Sequence, residues 1–112
     1  MSNYELFEKI SGLDRIIHEP SRLAILTALS SCKEADFLFL QRLIGLSKGN
    51  LSSHLAKLEK AELVEIRKTY EGKKPLTLVS LTERGHQAIN HHWKLLEDLR
   101  RSSEEWDPEQ EE

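Results

Sequence analysis

Residues 36–61 read DFLFLQRLIGLSKGNLSSHLAKLEKA. Asp36 is a good N-cap for a short helix. The run Phe37-Leu38-Phe39-Leu40 fits a strand or a helix by period alone. Leu40, Leu43 and Ile44 continue at helical spacing, so a helix through Ile44 is expected. Gly45 supplies the left-handed residue that ends it. Ser47 then caps a second helix, expected over 48–61, with only Leu46 and the cap between the two. On this second helix Leu51, Leu55 and Leu58 form a narrow apolar stripe. The opposite face collects Gly49, Ser53, Ala56, Lys57 and Lys60, flanked by Asn50 and Ser52. Glu59 and Glu62 lie off its centre. A merely solvated face usually mixes both signs of charge. This one is small, polar and basic, and short side chains let a helix approach a groove floor closely.

Upstream, Leu6, Ile10, Leu13 and Ile17 fall on one face of a helix expected over 4–17, with Gly12 as a point of interruption. Pro20 suits the first turn of another helix, reaching about Ser31 through Leu23, Leu26 and Leu29. Downstream, Val64 and Ile66 alternate with Glu65 and Arg67, as in a half-buried strand. Tyr70–Pro75 is expected as a turn with a basic tip, and 76–81 as the returning strand. Thr82 caps a last long helix, with Glu83 in its first turn. Ala88, His92, Leu95 and Leu99, widened by Ile89, Trp93 and Leu96, make a stripe broader than one small domain covers. A tight helix–glycine–helix join followed by a hairpin defines a helix-turn-helix with a β extension. The expected class is mainly α with a small β-hairpin (α+β).

The chain has 112 residues, 38% of them hydrophobic, one cysteine and a net charge of −3. That is one domain's worth, with a modest core that self-association would help. A single cysteine excludes a disulfide framework and a multi-cysteine zinc site. No apolar run reaches the roughly 18 residues of a membrane span. The N-terminus lacks the order of a signal peptide, so a cytoplasmic location and no membrane partner are expected. Residues 104–112 hold six acids and no base, so the preceding residues carry a net +3. Residues 47–75, with seven bases against four acids, carry the same excess. The expected organisation is a folded unit over 1–101 and an acidic, disordered tail over 102–112.

Three stretches resemble the ArsR/MarR-like winged-helix transcription regulators: 47–64 (SKGNLSSHLAKLEKAELV) as the recognition helix, 72–85 (GKKPLTLVSLTERG) as the wing and entry to the next helix, and 13–26 (LDRIIHEPSRLAIL) as the opening pattern. The resemblance covers roughly residues 13–90. It implies a winged helix-turn-helix and a homodimer, in which the N- and C-terminal helices form the interface. Departures are specific. Glu62 stands where such chains usually have Gly, at a cost of about 1 kcal/mol if that residue is left-handed. Leu76 replaces a residue that is often basic. The paired-cysteine motif of metal-sensing members is absent, so metal sensing is not implied.

Affinity for DNA needs phosphate neutralisation and specificity needs base-edge contacts. Lys48, Lys57, Lys60 and Arg67 are candidates for phosphates or sugar edges. Asn50, Ser52, Ser53 and Lys57 are candidates for the major groove, and Lys73 and Lys74 for an adjacent minor groove or backbone. Tyr4, Phe7 and Ile10, with His92, Trp93, Leu95, Leu96 and Leu99, are the candidate dimer contacts; the same helices could instead pack within one chain. His54 is expected to be a packed or capping histidine. His86, His91 and His92 invite a metal reading, but the adjacent pair diverges around the helix, so structural roles are preferred. Cys32 is expected to be a small buried hydrophobe. No catalytic constellation and no cofactor motif is present. The expected function is sequence-specific double-stranded DNA binding by a homodimer on an inverted-repeat operator, in transcription regulation. The alternative is a winged-helix protein-interaction module that does not bind DNA. A small-molecule effector, unidentified by the sequence, would have to change the angle or spacing of the two reading helices.

Overall fold

Nine segments follow one another along residues 3–110, the part of the chain that the computed structural model describes. They are α1 (Asn3–Ser11), α2 (Pro20–Ser30), β1 (Ala35–Asp36), α3 (Phe37–Ile44), α4 (Lys48–Lys60), β2 (Val64–Glu71), β3 (Lys74–Leu81), α5 (Glu83–Glu104) and a 3-10 turn over Pro108–Gln110. The three strands form an antiparallel sheet in the order β1-β3-β2. This is the expected α+β winged architecture.

Local signals set most of the boundaries. Gly45 ends α3 at φ 78°, and its N–H bonds back to the Gln41 carbonyl. The Ser47 hydroxyl accepts from the Asn50 N–H, satisfying one open donor of α4. The Thr82 hydroxyl does the same for Gly85 at the head of α5. Asp36 precedes α3 in extended backbone but makes no side-chain cap bond. Instead it pairs with Leu78, and Ala35 with Val79, as a two-residue strand along the hairpin.

The core is aliphatic. Ile25, Leu26 and Leu29 of α2, Leu40 of α3, Leu51, Leu55 and Leu58 of α4, Val64 and Val79 of the sheet and Ile89 of α5 are all buried. Each such leucine contributes roughly 1.5–3 kcal/mol of burial. Because the α4 stripe is wholly consumed in this contact, the opposite face of α4 is turned outward.

Three expectations are corrected. The first helix stops at Ser11 rather than running to Ile17. Asp14 accepts from the N–H groups of Ile16 and Ile17 through its side chain, and that local turn displaces helix. Ile17 is still buried, but from the turn. The hairpin turn is tighter than 70–75: Glu71 pairs with Lys74, leaving only Gly72 and Lys73 at the tip. Cys32 is exposed, not buried, because α2 ends before it. At the other end α5 continues past residue 101 to Glu104, and Trp106 meets Phe7 edge to face at 5.5 Å. Residues 1–2 and 111–112 of the two expected units lie outside the described residues.

The junction between α4 and α5 is close. Glu62 adopts φ 63°, the only left-handed non-glycine among the described residues, at the position where the winged-helix resemblance implies a glycine. The Leu63 N–H then bonds back to the Leu58 carbonyl, and the Leu63 carbonyl accepts from Thr82. A Cβ on Gly85 would lie 2.0 Å from the Leu63 carbonyl oxygen. Only a glycine lets α5 start this near the end of α4.

Candidate nucleic-acid interface

Seven side positions of α4, Gly49, Asn50, Ser52, Ser53, Ala56, Lys57 and Lys60, are exposed, and so is Lys48 at its first turn. They are the residues that the sequence places opposite the leucine stripe. Lys73 and Lys74 are exposed at the hairpin tip. The structure thus presents a helix face without an acid at its centre beside a ribbon ending in two lysines.

Between α3, α4 and the hairpin lies a cleft of about 370 Å³. Lys48, Ser52 and Lys68 line it over an apolar floor that includes Phe37, Leu55 and Ile66, with Glu59 the acid on its wall. Lys68 is a residue that sequence reasoning left out of the site. The signal was present: counting by two along β2 from Val64 and Ile66 puts Lys68 on the side that faces α4. Arg67, a candidate phosphate contact, sits on the other side of the strand. Its guanidinium donates to both carboxylate oxygens of Glu34 at 3.3 Å. Reaching a phosphate would require giving up that pair.

His54 packs as expected. Arg22 Nη1 lies 3.1 Å from His54 Nδ1, and Glu19 Oε2 lies 3.7 Å from the same nitrogen. Burial alone would raise the Glu19 carboxyl. The N–H groups of Arg22 and Ser21 and the charges of His54 and Arg22 outweigh it and hold the group below its usual value.

Of the residues expected at a dimer contact, Tyr4, Phe7, Ile10 and Trp93 are exposed, and Leu95 and Leu96 are half-buried. Trp93 keeps its indole N–H on the Thr27 hydroxyl at 2.9 Å. His92 and Leu99, at 3% and 4% exposure, are buried inside the protomer, the packing within one chain that the sequence left open. His92 Nε2 meets His18 Nδ1 at 3.1 Å. Burial, reinforced by His18 and by His91, pushes the His92 imidazole below its ordinary value, against the opposing pull of Asp14. His86 and His91 do not join it; among the described residues no three metal-ligating side chains converge. No helix among them is long and apolar enough to cross a membrane.

A helix-turn-helix whose second helix faces outward beside a basic hairpin defines a winged helix-turn-helix protein, the class inferred from the sequence. A family profile described as a winged helix DNA-binding domain matches residues 21–99. The chain belongs to that family, whose fold is shared by transcriptional regulators of the MarR-like group. A protein of Methanocaldococcus jannaschii of uncharacterized function is 30% identical over 78 residues, spanning 70% of this chain and 85% of its own. The solved structure of a transcriptional regulator homologue from Pyrococcus horikoshii superposes with a TM-score of 0.80 at 28% identity, covering 88% of this chain and 96% of that one. A MarR family regulator from Silicibacter pomeroyi shares the fold at a TM-score of 0.61 and 20% identity, over 95% and 67% of the two chains.

Proposed function

We propose that the protein acts as a homodimer that binds an inverted-repeat DNA operator and so regulates transcription. The observation that carries this is the exposed face of α4: Asn50, Ser52, Ser53 and Lys57 lie together with no large apolar group among them. Asparagine and lysine donate to base edges in a major groove, and serine serves either a base or a phosphate. Lys48, Lys60, Lys68, Lys73 and Lys74 would neutralise phosphates around that contact. Tyr4, Phe7, Ile10 and Trp93 offer an exposed apolar surface on α1 and α5 for a second copy. Two-fold symmetry would then set the half-sites about one helical turn, roughly 34 Å, apart.

Selection of bound duplexes from a random library tests binding, symmetry and spacing together. The selected duplex is then titrated at several salt concentrations. Log affinity should fall linearly with log salt, as each neutralised phosphate releases counterions. Lys57→Ala should change sequence preference, whereas Lys73→Ala should weaken all duplexes alike and reduce the slope by about one. A flat salt response would remove the phosphate contacts. No enrichment of any duplex would favour the protein-interaction module instead. Sedimentation of the free protein checks the dimer, and a monomer at micromolar concentration would remove it.

A further inference from the structure

We propose that residues 14–22 form a rigid link that positions the recognition helix α4 against α5, gripping α5 through His18 and α4 through Glu19 and Arg22. The proposal rests on reading α4 as the DNA-reading helix, although the link itself is independent of DNA.

The link has little freedom of its own. Asp14 fixes its start with side-chain bonds from Ile16 and Ile17, and its carbonyl accepts from His18 at 2.7 Å. Glu19 caps α2 with its carboxylate on the N–H groups of Ser21 and Arg22. The Arg22 guanidinium, from a residue only 8% exposed, folds back onto the carbonyls of Ile16 at 2.7 Å and Arg15 at 3.3 Å. Its remaining amino group is the one that reaches His54.

The grip on α4 adds an edge contact to the leucine seat that sets how the helix is rolled about its axis. His54 Nδ1 stands within reach of both Arg22 Nη1, at 3.1 Å, and Glu19 Oε2, at 3.7 Å. His54 stands at the edge between the buried leucines and the outward face. Its neighbour Ser53 and, one turn on, Lys57 both face outward. Rolling α4 in either direction re-aims those two side chains and draws His54 off Arg22.

The grip on α5 depends on a proton. The His18 and His92 nitrogens are 3.1 Å apart, with ring centroids at 5.2 Å. A pair this close holds one proton between its nitrogens. A second would set two donors against each other. The titratable groups whose charges act on His92 are His18 and Asp14 from the link and His91 from α5 itself. Burial and His18 both resist the second charge, so the contact is closed in neutral solution and opens in acid. The link runs without a break from His92 through His18, Glu19 and Arg22 to His54. Releasing α5 therefore loosens the seat of α4.

Amide hydrogen exchange on the full chain without DNA reads this directly, as protection factors at pH 7.5 and 5.5, on either side of the ordinary histidine value of about 6.5. Wild type should lose about threefold or more protection at residues 51–58 on acidification. His18→Ala removes an exposed side chain. It should show that loss already at pH 7.5 and little further change at pH 5.5. His18→Gln, whose amide can donate or accept, should restore protection at pH 7.5. His91→Gln should behave as wild type. Unchanged protection at 51–58 in His18→Ala, or a loss confined to 14–22, overturns the link. Global unfolding of His18→Ala would show as lost protection at 25–29 as well, and the His18→Gln profile then decides: an acid loss equal to wild type overturns the proposal. The selected duplex is titrated with the same variants at both pH values. Failure to bind any duplex would sink the DNA reading and leave the exchange result standing.

Discussion

Glu62→Gly should make the protein more stable, and the size of the gain follows from the backbone. At φ 63° a side chain meets its own carbonyl, a conformation that costs an L-residue roughly 1–2 kcal/mol and glycine almost nothing. Against that gain, glycine gives the unfolded chain extra freedom, worth about 0.5–1 kcal/mol. The Glu62 carboxylate also pairs with Arg84 at 3.5 Å, but both side chains are largely in water, and such pairs contribute little. The Thr82 hydroxyl bond to the Glu62 carbonyl is a backbone contact that glycine keeps. The net expectation is a stabilisation of about 0.5–1 kcal/mol, or about 2–8 °C in Tm for a domain of this size. Urea unfolding followed by circular dichroism, at one fixed protein concentration so that any association is constant, measures it. Glu62→Ala separates strain from charge, because it loses the ion pair but keeps the left-handed penalty. If the glycine variant is no more stable than the alanine variant, the left-handed backbone stores no strain and the reasoning fails.

Gly85→Ala should do the opposite: its new methyl would sit 2.0 Å from a backbone oxygen that cannot swing aside, so a loss of about 2 kcal/mol or more is expected in urea melts. An unchanged midpoint would mean that the α4–α5 junction is looser than its geometry. Stability should also depend on pH in a set direction. His92 is held below its ordinary value, so as pH falls the unfolded chain takes up that proton first. The contribution of neutral His92 is complete above about pH 6.5 and is lost as acid titrates the folded group below that. The lowered Glu19 carboxyl adds a second loss below about pH 4.5. A urea midpoint that stays level from pH 7.5 to 5.5 contradicts the first of these.

Sequence reading worked where the signal was local. Gly45, Ser47 and Thr82 each act within one turn of chain, and each does what its chemistry indicates. The leucine spacing of α4 fixes both its buried and its outward sides, so the winged fold and the candidate interface were legible together. What was missed depends on partners far away in the chain. His92 looks like part of an apolar stripe until His18, 74 residues earlier, is placed against it. Arg67 looks like a free base until Glu34 is folded beside it. The first helix shows a different failure. Its periodicity runs past Gly12, but the carboxylate of Asp14 offers the backbone a better local partner than the next helical turn. The strand at Ala35–Asp36 is two residues long, too short to leave any alternation.

The sheet pairing gives α4 and the hairpin different mechanical characters. The third strand supports the hairpin only at Leu78 and Val79, whereas β2 and β3 stay paired out to Glu71 and Lys74. The four residues of β2 from Lys68 outward therefore reach about 13 Å as a bare two-stranded ribbon. Such a ribbon resists stretching but bends and twists easily. A helix seated on a leucine core acts as a stiff probe, and the ribbon as a compliant feeler. In the proposed complex it would follow a backbone whose width varies with sequence without disturbing the register of the helix.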